Sequence, residues 1–202
     1  MKEMTARKKR HVLPEEERKE MILDAAVAVF SQHGYEACDV DEIAQYAQIG
    51  KGTIYRYFPS KLDLFLATVD RGFTKLRDLM GHLACVEAQF EEKVRIGLRL
   101  YVDFFCENPD YYRIMMIEQP DLRLAPDKSA VTGHQRFTTH LIDLIRAGIR
   151  SGELKKVDPV FTSHGLRAVA SVIIEKHLYA KEGSRKKDIE TAIEIFLRGI
   201  KK

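Results

Sequence analysis

A chain of 202 residues with 45% apolar and 31% charged side chains can bury a real core, as one large domain or a small one beside a larger one. Its formal charge of +3 rules out a polycation overall, so the placement of charge matters more than its sum. Three scattered cysteines (Cys38, Cys85, Cys106) with no CxxC pair argue against a disulfide framework or structural zinc, and no apolar run approaches bilayer length, so a soluble cytoplasmic chain is expected.

In chain order, residues 1–14 form a basic arm carrying Arg7, Lys8, Lys9 and Arg10. It suits a polyanion, although a solvated tail is the commoner meaning of such a run. Pro14 and Glu15–Glu17 follow in place of an apolar segment, so a signal peptide is not expected. Ile22, Ala26, Val29 and Phe30 then give a helical stripe, ended at "HGY", where Gly34 can take a left-handed cap. Asp39 caps a short helix with Val40, Ile43, Ala44 and Ala47 on one face, and Glu42 stands at capping-box spacing. A second short helix follows over 51–58. Ser60 and Asp63 cap a long fourth one, residues 61–80, with Leu62, Phe65, Leu66, Val69, Phe73, Leu76 and Met80 along one side. Further helices are expected near 87–107, 109–118, 128–151, 160–181 and 186–200. They are separated by Asn108-Pro109, the loop "QPDLRLAPDKS", the link "SGELKKVDP" and "KEGSRKK". Asp158 with Pro159 makes a good start for the helix at 160. No run alternates as a strand does, so the fold class is all-α with about nine helices.

The stretch "GKGTIYRYFPSKLDLF" carries the functional signal. On a helical wheel Ile54 and Phe58 fall together and point inward, which leaves Gly52 and Arg56 opposite, flanked by Thr53 and Tyr55, with Tyr57 nearer the edge. A core does not require that outward face. The preceding helix is about three residues away, which is helix-turn-helix spacing, and in that motif the second helix enters the major groove. Gly52 then permits close backbone approach, Arg56 suits a guanine edge, Thr53 and Tyr55 suit thymine methyls or phosphates, and Lys61 suits a phosphate. An amphipathic rim is the bland alternative for these residues. A phosphate-binding loop is excluded, because "GKGT" lacks the earlier glycine and puts Gly52 where Ser or Thr must follow the lysine.

Residues 26–65, "AVAVFSQHGYEACDVDEIAQYAQIGKGTIYRYFPSKLDLF", resemble the N-terminal DNA-binding domain of the TetR (tetracycline-repressor-like) transcriptional regulators. Phe30, Gly34, Tyr35, Val40, Ile43, Ala44, Gly52, Tyr55, Phe58, Lys61 and Leu64 stand where that pattern wants them. The resemblance implies a homodimer on a palindromic double-stranded DNA operator, usually a repressor, released when a small ligand enters the C-terminal domain. It places Lys51, Gly52, Thr53 and Tyr55 at bases or nearby phosphates, Arg56 at a variable position, and Tyr57 and Lys61 at phosphates. Three positions depart from the pattern. Asp39 replaces a serine or threonine cap, Gln48 stands where glycine often makes the turn, and Gly50 replaces a capping serine. The implied division is a helix-turn-helix domain over 15–60, a connecting helix over 61–80, and a ligand-binding and dimerisation domain over 81–202.

In that C-terminal part Tyr101, Phe104, Phe105, Tyr111, Tyr112, Met115, Met116 and Phe137 are either core or the wall of an apolar ligand pocket. His134, His164, Arg167 and His177 are the polar residues suited to orient a small, largely apolar effector there. Leu166, Val169, Ala170 and Ile173, with Ile189, Ile193, Phe196 and Ile200, give stripes on the last two helices; the family's layout implies a four-helix dimer interface from them. No metal or cofactor is expected, and without a nucleophile elbow, phosphate loop or paired-carboxylate motif neither is an enzyme. Whether the regulator represses or activates stays open.

Overall fold

The computed structural model describes residues 14–81, 87–117 and 131–200, the side chains of 116–117 and 131–138 excepted. The basic arm, Cys85 and the 119–129 loop lie outside the described residues, as do the side chains of Met116, His134 and Phe137. Nine α-helices run through what is described: α1 (Glu15–Ala37), α2 (Val40–Tyr46), α3 (Lys51–Tyr57), α4 (Lys61–Met80), α5 (Phe90–Glu107), α6 (Pro109–Tyr112), α7 (Val131–Ser151), α8 (Pro159–Glu175) and α9 (Arg185–Ile200). α6 and α8 each continue into one π-helical turn, Arg113–Ile117 and Lys176–Ala180. The chain is therefore all-α, with helix ends within a few residues of the expected ones.

Local chemistry sets these boundaries. Glu15, Glu16 and Glu17 occupy the first turn of α1, where the positive end of the helix dipole favours them. Gly34 breaks α1 at φ 75°, ψ 173°, a region essentially closed to side-chain-bearing residues and more demanding than the left-handed cap expected there. Asp39 caps α2 by accepting from the Asp41 N–H at 2.9 Å; the Glu42 carboxylate instead lies 3.8 Å from His33. Ser60 Oγ accepts from the Asp63 N–H at 3.1 Å and donates to its carboxylate at 2.6 Å, and Asp158 accepts from Val160 and Phe161. Between α2 and α3, Gln48 sits at φ 53°, so the turn does need the left-handed conformation that glycine often supplies.

α1, α2 and α3 close over one core with the start of α4. Phe30 meets Phe65 edge-on at 5.1 Å, Tyr35 meets Phe65 at 4.9 Å, and Ile22, Ile43 and Ile54 are fully enclosed around them. α4 then crosses into the larger part, packing on α1, α5 and α7, while α8 packs on α5 and α7, and α9 on α5 and α8. Arg71 of α4 joins the two parts. Its guanidinium reaches Glu20 at 2.6 Å and Asp24 at 2.7 Å on α1, and donates to the Tyr111 hydroxyl of α6 at 3.2 Å. Next to it, Gly72 lets α4 and α6 touch: a Cβ there would lie 2.6 Å from Met115 Sδ and 2.7 Å from the Tyr111 ring.

The dimer stripe drawn from sequence needs correction. Leu166, Ala170, Ile173, Ile189 and Ile193 are buried inside the chain's own core, and Val169 and Phe196 are half-buried against it. α8 is apolar on two faces, and periodicity alone does not say which one turns inward. The second face is the exposed one. Phe161 (78% exposed), Val172 (67%) and Tyr179 lie in line at helical spacing, with Gly165 and Ala168 between them, and Ile195 (69%) stands exposed on α9.

Candidate nucleic-acid interface and effector cavity

α3 presents its outer face as its sequence requires. Ile54 and Phe58 are 1% and 3% exposed, and burying each such side chain is worth roughly 1.5–3 kcal/mol, so the helix cannot roll without losing both. Gly52, Tyr55 and Arg56 are exposed, and Lys51, Thr53 and Tyr57 half-buried. Nothing lies within 4 Å of where a Gly52 Cβ would sit, so that side of the helix is open. The Arg56 guanidinium lies 5.1 Å from the Tyr57 ring centre and 3.3 Å from its hydroxyl, which holds the cation at the rim of the face.

The other two cations are held from behind. Lys51 Nζ donates to Asp41 at 2.7 Å and to Asp39 at 3.4 Å. The Asp41 N–H, then Lys51, draw Asp39 below the usual carboxylate range, and Asp41 in turn raises the lysine. Lys61 Nζ donates to the Glu36 carbonyl at 3.0 Å and sits 4.8 Å from the Tyr35 ring centre, so it ties α4 to the end of α1. Sequence reasoning passed over Tyr46, 62% exposed on α2; its signal was an aromatic at the edge of the Val40, Ile43 and Ala44 stripe.

A cavity of about 360 Å³ opens between α4, α5, α7 and α8, at the small end of ligand-binding pockets. Phe73 and Met80 of α4, Val94 and Leu98 of α5, and Leu141 and Leu144 of α7 supply most of its apolar wall. Of the residues chosen from sequence for the effector, Tyr101 and Arg167 line it, and Leu166 and Ala170 of the expected dimer stripe do so too. Burial above all pushes the Tyr101 phenol up to about 12, against the pull of the neighbouring Arg167 cation. Phe104, Phe105, Tyr111 and Met115 do not line the cavity: they fill the core, in ring contacts that run from Tyr101 through Phe105 to Tyr112 at 4.9 and 5.6 Å. His164 faces a shallow outer depression shared with Arg167, Ala168 and Ser171. His177 instead lies 2.9 Å from Asp188, where it helps join the end of α8 to α9. Arg77, Lys93 and His140 line the cavity and were missed, because lysine and arginine on a helix read as surface. The spacing of Lys93, Gly97 and Tyr101 put them on one face and was the available clue. Among the described residues there is no group of three or more histidine, cysteine or acidic side chains able to hold a metal. None of the described helices is long and apolar enough to cross a membrane.

An all-helical chain with a helix-turn-helix head and a larger helical part behind it has the architecture of a DNA-binding transcriptional regulator. The family of bacterial regulatory proteins described as tetR matches residues 22–68. The HTH-type transcriptional regulator YhgD of Bacillus subtilis, itself uncharacterised, is 30% identical over 151 residues, covering 73% of this chain and 77% of that protein. This chain belongs to the TetR family of transcriptional regulators. The repressor KstR of Mycolicibacterium smegmatis is 43% identical over 60 residues, 30% of this chain and 29% of that protein. Among solved structures, a transcriptional regulator FadR from Bacillus subtilis in complex with stearoyl-CoA superposes with a TM-score of 0.76, covering 89% of this chain and 98% of that one. At 20% identity that likeness is one of fold.

Proposed function

We propose that the protein is a homodimeric repressor that leaves a palindromic operator when a small, largely apolar effector fills the cavity. One observation carries this reading: α4 serves both sites. Its first half packs on the DNA-reading head, through Leu64, Phe65 and the Lys61 bond to Glu36. Its last turns, at Phe73, Arg77 and Met80, form a wall of the cavity. An effector that presses on that wall moves the rod to which α3 is fixed, and Arg71 carries the same movement into α1. Coupling of this kind needs only about 1–3 kcal/mol. The division of labour follows: arm 1–14, reading head 15–60, connecting helix 61–80 and effector and dimerisation domain 81–202.

The dimer forms through the exposed face of α8 and α9, Phe161, Val172, Tyr179 and Ile195, rather than the buried stripe expected from sequence. Pairing two heads on one rigid base multiplies affinity for a two-half-site operator and fixes the half-site spacing. The relative named as a repressor supports the sign of the regulation, and the regulator solved with stearoyl-CoA supports an apolar effector.

Selection of genomic DNA fragments on the purified protein tests the whole reading. A shared inverted repeat in the selected fragments is the expected result, with transcription from the adjoining promoters rising when the gene is deleted. Fragments without common sequence, or promoters that fall silent, refute operator recognition or repression respectively. Ile195→Glu at the proposed interface should yield monomers by light scattering and weaken binding to the full repeat far more than to one half-site.

A further inference from the structure

The charge around the cavity is more than a neutral apolar effector requires. Among the described residues lining it stand three permanent cations, Arg77, Lys93 and Arg167, together with His140, and no aspartate or glutamate. Arg77 has Asp78 beside it at 3.5 Å. Arg167 is different. It is half-buried, and it stands beside the phenol of Tyr101, itself 5% exposed, on the cavity wall. A neutral hydroxyl does nothing for the charge of a guanidinium. Since Arg167 also borders the outer depression with His164, Ala168 and Ser171, it stands as the partition at that side of the cavity. Lys93 lies two turns from Tyr101 along α5, about 12 Å at 1.5 Å per residue, so it marks the opposite end. Arg77 and His140 are exposed, which makes theirs the open end.

A planar fork beside a buried phenol, in the wall of an apolar chamber, suits a planar anion with two oxygens. We propose that the effector is a compact carboxylate. Its apolar body lies against Phe73, Leu98 and Leu144, its carboxylate pairs bidentately with Arg167, and Arg77 and Lys93 draw the anion to the mouth. Tyr101 is a positioning residue that aims the guanidinium. The proposal rests on the cavity being the effector site, but its charge requirement is measured without DNA, so its failure is separable from failure of regulated release.

Calorimetric titration of the full chain with octanoate, octanamide and octylamine holds the apolar body constant while changing the head. Octanoate should bind at least tenfold more tightly than octanamide, and octylamine more weakly still. Arg167→Gln should cost octanoate at least tenfold while leaving octanamide unchanged, a split that a merely structural role of the arginine does not produce, and Arg167→Lys should restore part of the loss. Tyr101→Phe, which keeps the ring, should weaken octanoate by a smaller factor. Equal affinity for octanoate and octanamide, equal loss of both on Arg167→Gln, or no binding in the series overturns the proposal. So does binding of octanoyl-CoA that depends on Arg77 and Lys93 and is indifferent to Arg167, because the anion then sits at the rim and not at the partition. Release of a selected operator fragment by octanoate is scored as a separate experiment.

Discussion

Gly52→Ala should make the protein more stable and worse at holding DNA. Gly52 lies in the first turn of α3, and nothing comes within 4 Å of the position its Cβ would take, so the new methyl meets no steric penalty inside the chain. Alanine exceeds glycine in helix preference by up to about 1 kcal/mol. For a chain of this size that raises the melting temperature by roughly 2–4 °C. Against a duplex the sign reverses. The methyl occupies the space through which the backbone approaches the groove, and loss of one good base contact costs about 1–3 kcal/mol, roughly 5- to 150-fold in affinity. Differential scanning fluorimetry and fluorescence anisotropy with a fragment selected by the wild-type protein measure the two effects on the same sample. A lower melting temperature would show that the outer face of α3 is not open. Affinity within twofold of wild type would show that Gly52 does not face DNA, and the placement of α3 in the groove would go with it.

Gly72→Ala is the opposite case: its Cβ would stand 2.6 Å from Met115 Sδ and 2.7 Å from a Tyr111 ring carbon, so overpacking of about 1–3 kcal/mol should outweigh the helix gain and lower the melting temperature. Gln48→Gly should hold or raise stability by up to about 1 kcal/mol in urea denaturation, because φ 53° strains a side-chain-bearing residue while glycine costs somewhat more to order. Burial pushes the Cys38 thiol up to about 11. In a chain with Cys85 and Cys106 changed to serine, its reaction with a disulfide reagent should therefore be slow at pH 8 and quicken as pH rises toward that value; a rapid native reaction at pH 8 contradicts the burial.

What could be read in the sequence was whatever depends on neighbours along the chain. Asp39, Ser60 and Asp158 announce helix starts because a cap is a contact within three residues, and Ile54 with Phe58 fixes the roll of α3 because so short a helix has few apolar anchors. The cavity was not legible in this way. Leu98 lines it and Phe105 does not, yet both are buried on α5; the difference lies in how α4, α7 and α8 fail to meet over one and close over the other. Likewise α8 has apolar residues enough for two faces, and only the packing of α5 and α7 decides that Leu166 and Ala170 turn inward while Phe161 and Val172 do not. The resemblance over residues 26–65 reached the reading head; by contrast the residues suited to an effector had to be chosen by type, and Arg77, Lys93 and His140 look like solvent-facing residues until the helices are assembled.

The lysine at the head of α3 has a consequence for how the protein responds to salt. Lys51 is already matched by Asp41 and Asp39, so it carries little of the mobile anion cloud that a bare surface ammonium would hold. On reaching a phosphate it exchanges carboxylates for another anion and leaves two acids facing the duplex, which gather cations of their own. Affinity should thus fall less steeply with added salt than the number of lysines and arginines on the reading head suggests. Neutralising Asp41 would steepen that dependence while tightening the grip on any sequence, so the acidic pair spends general adhesion to keep the head selective.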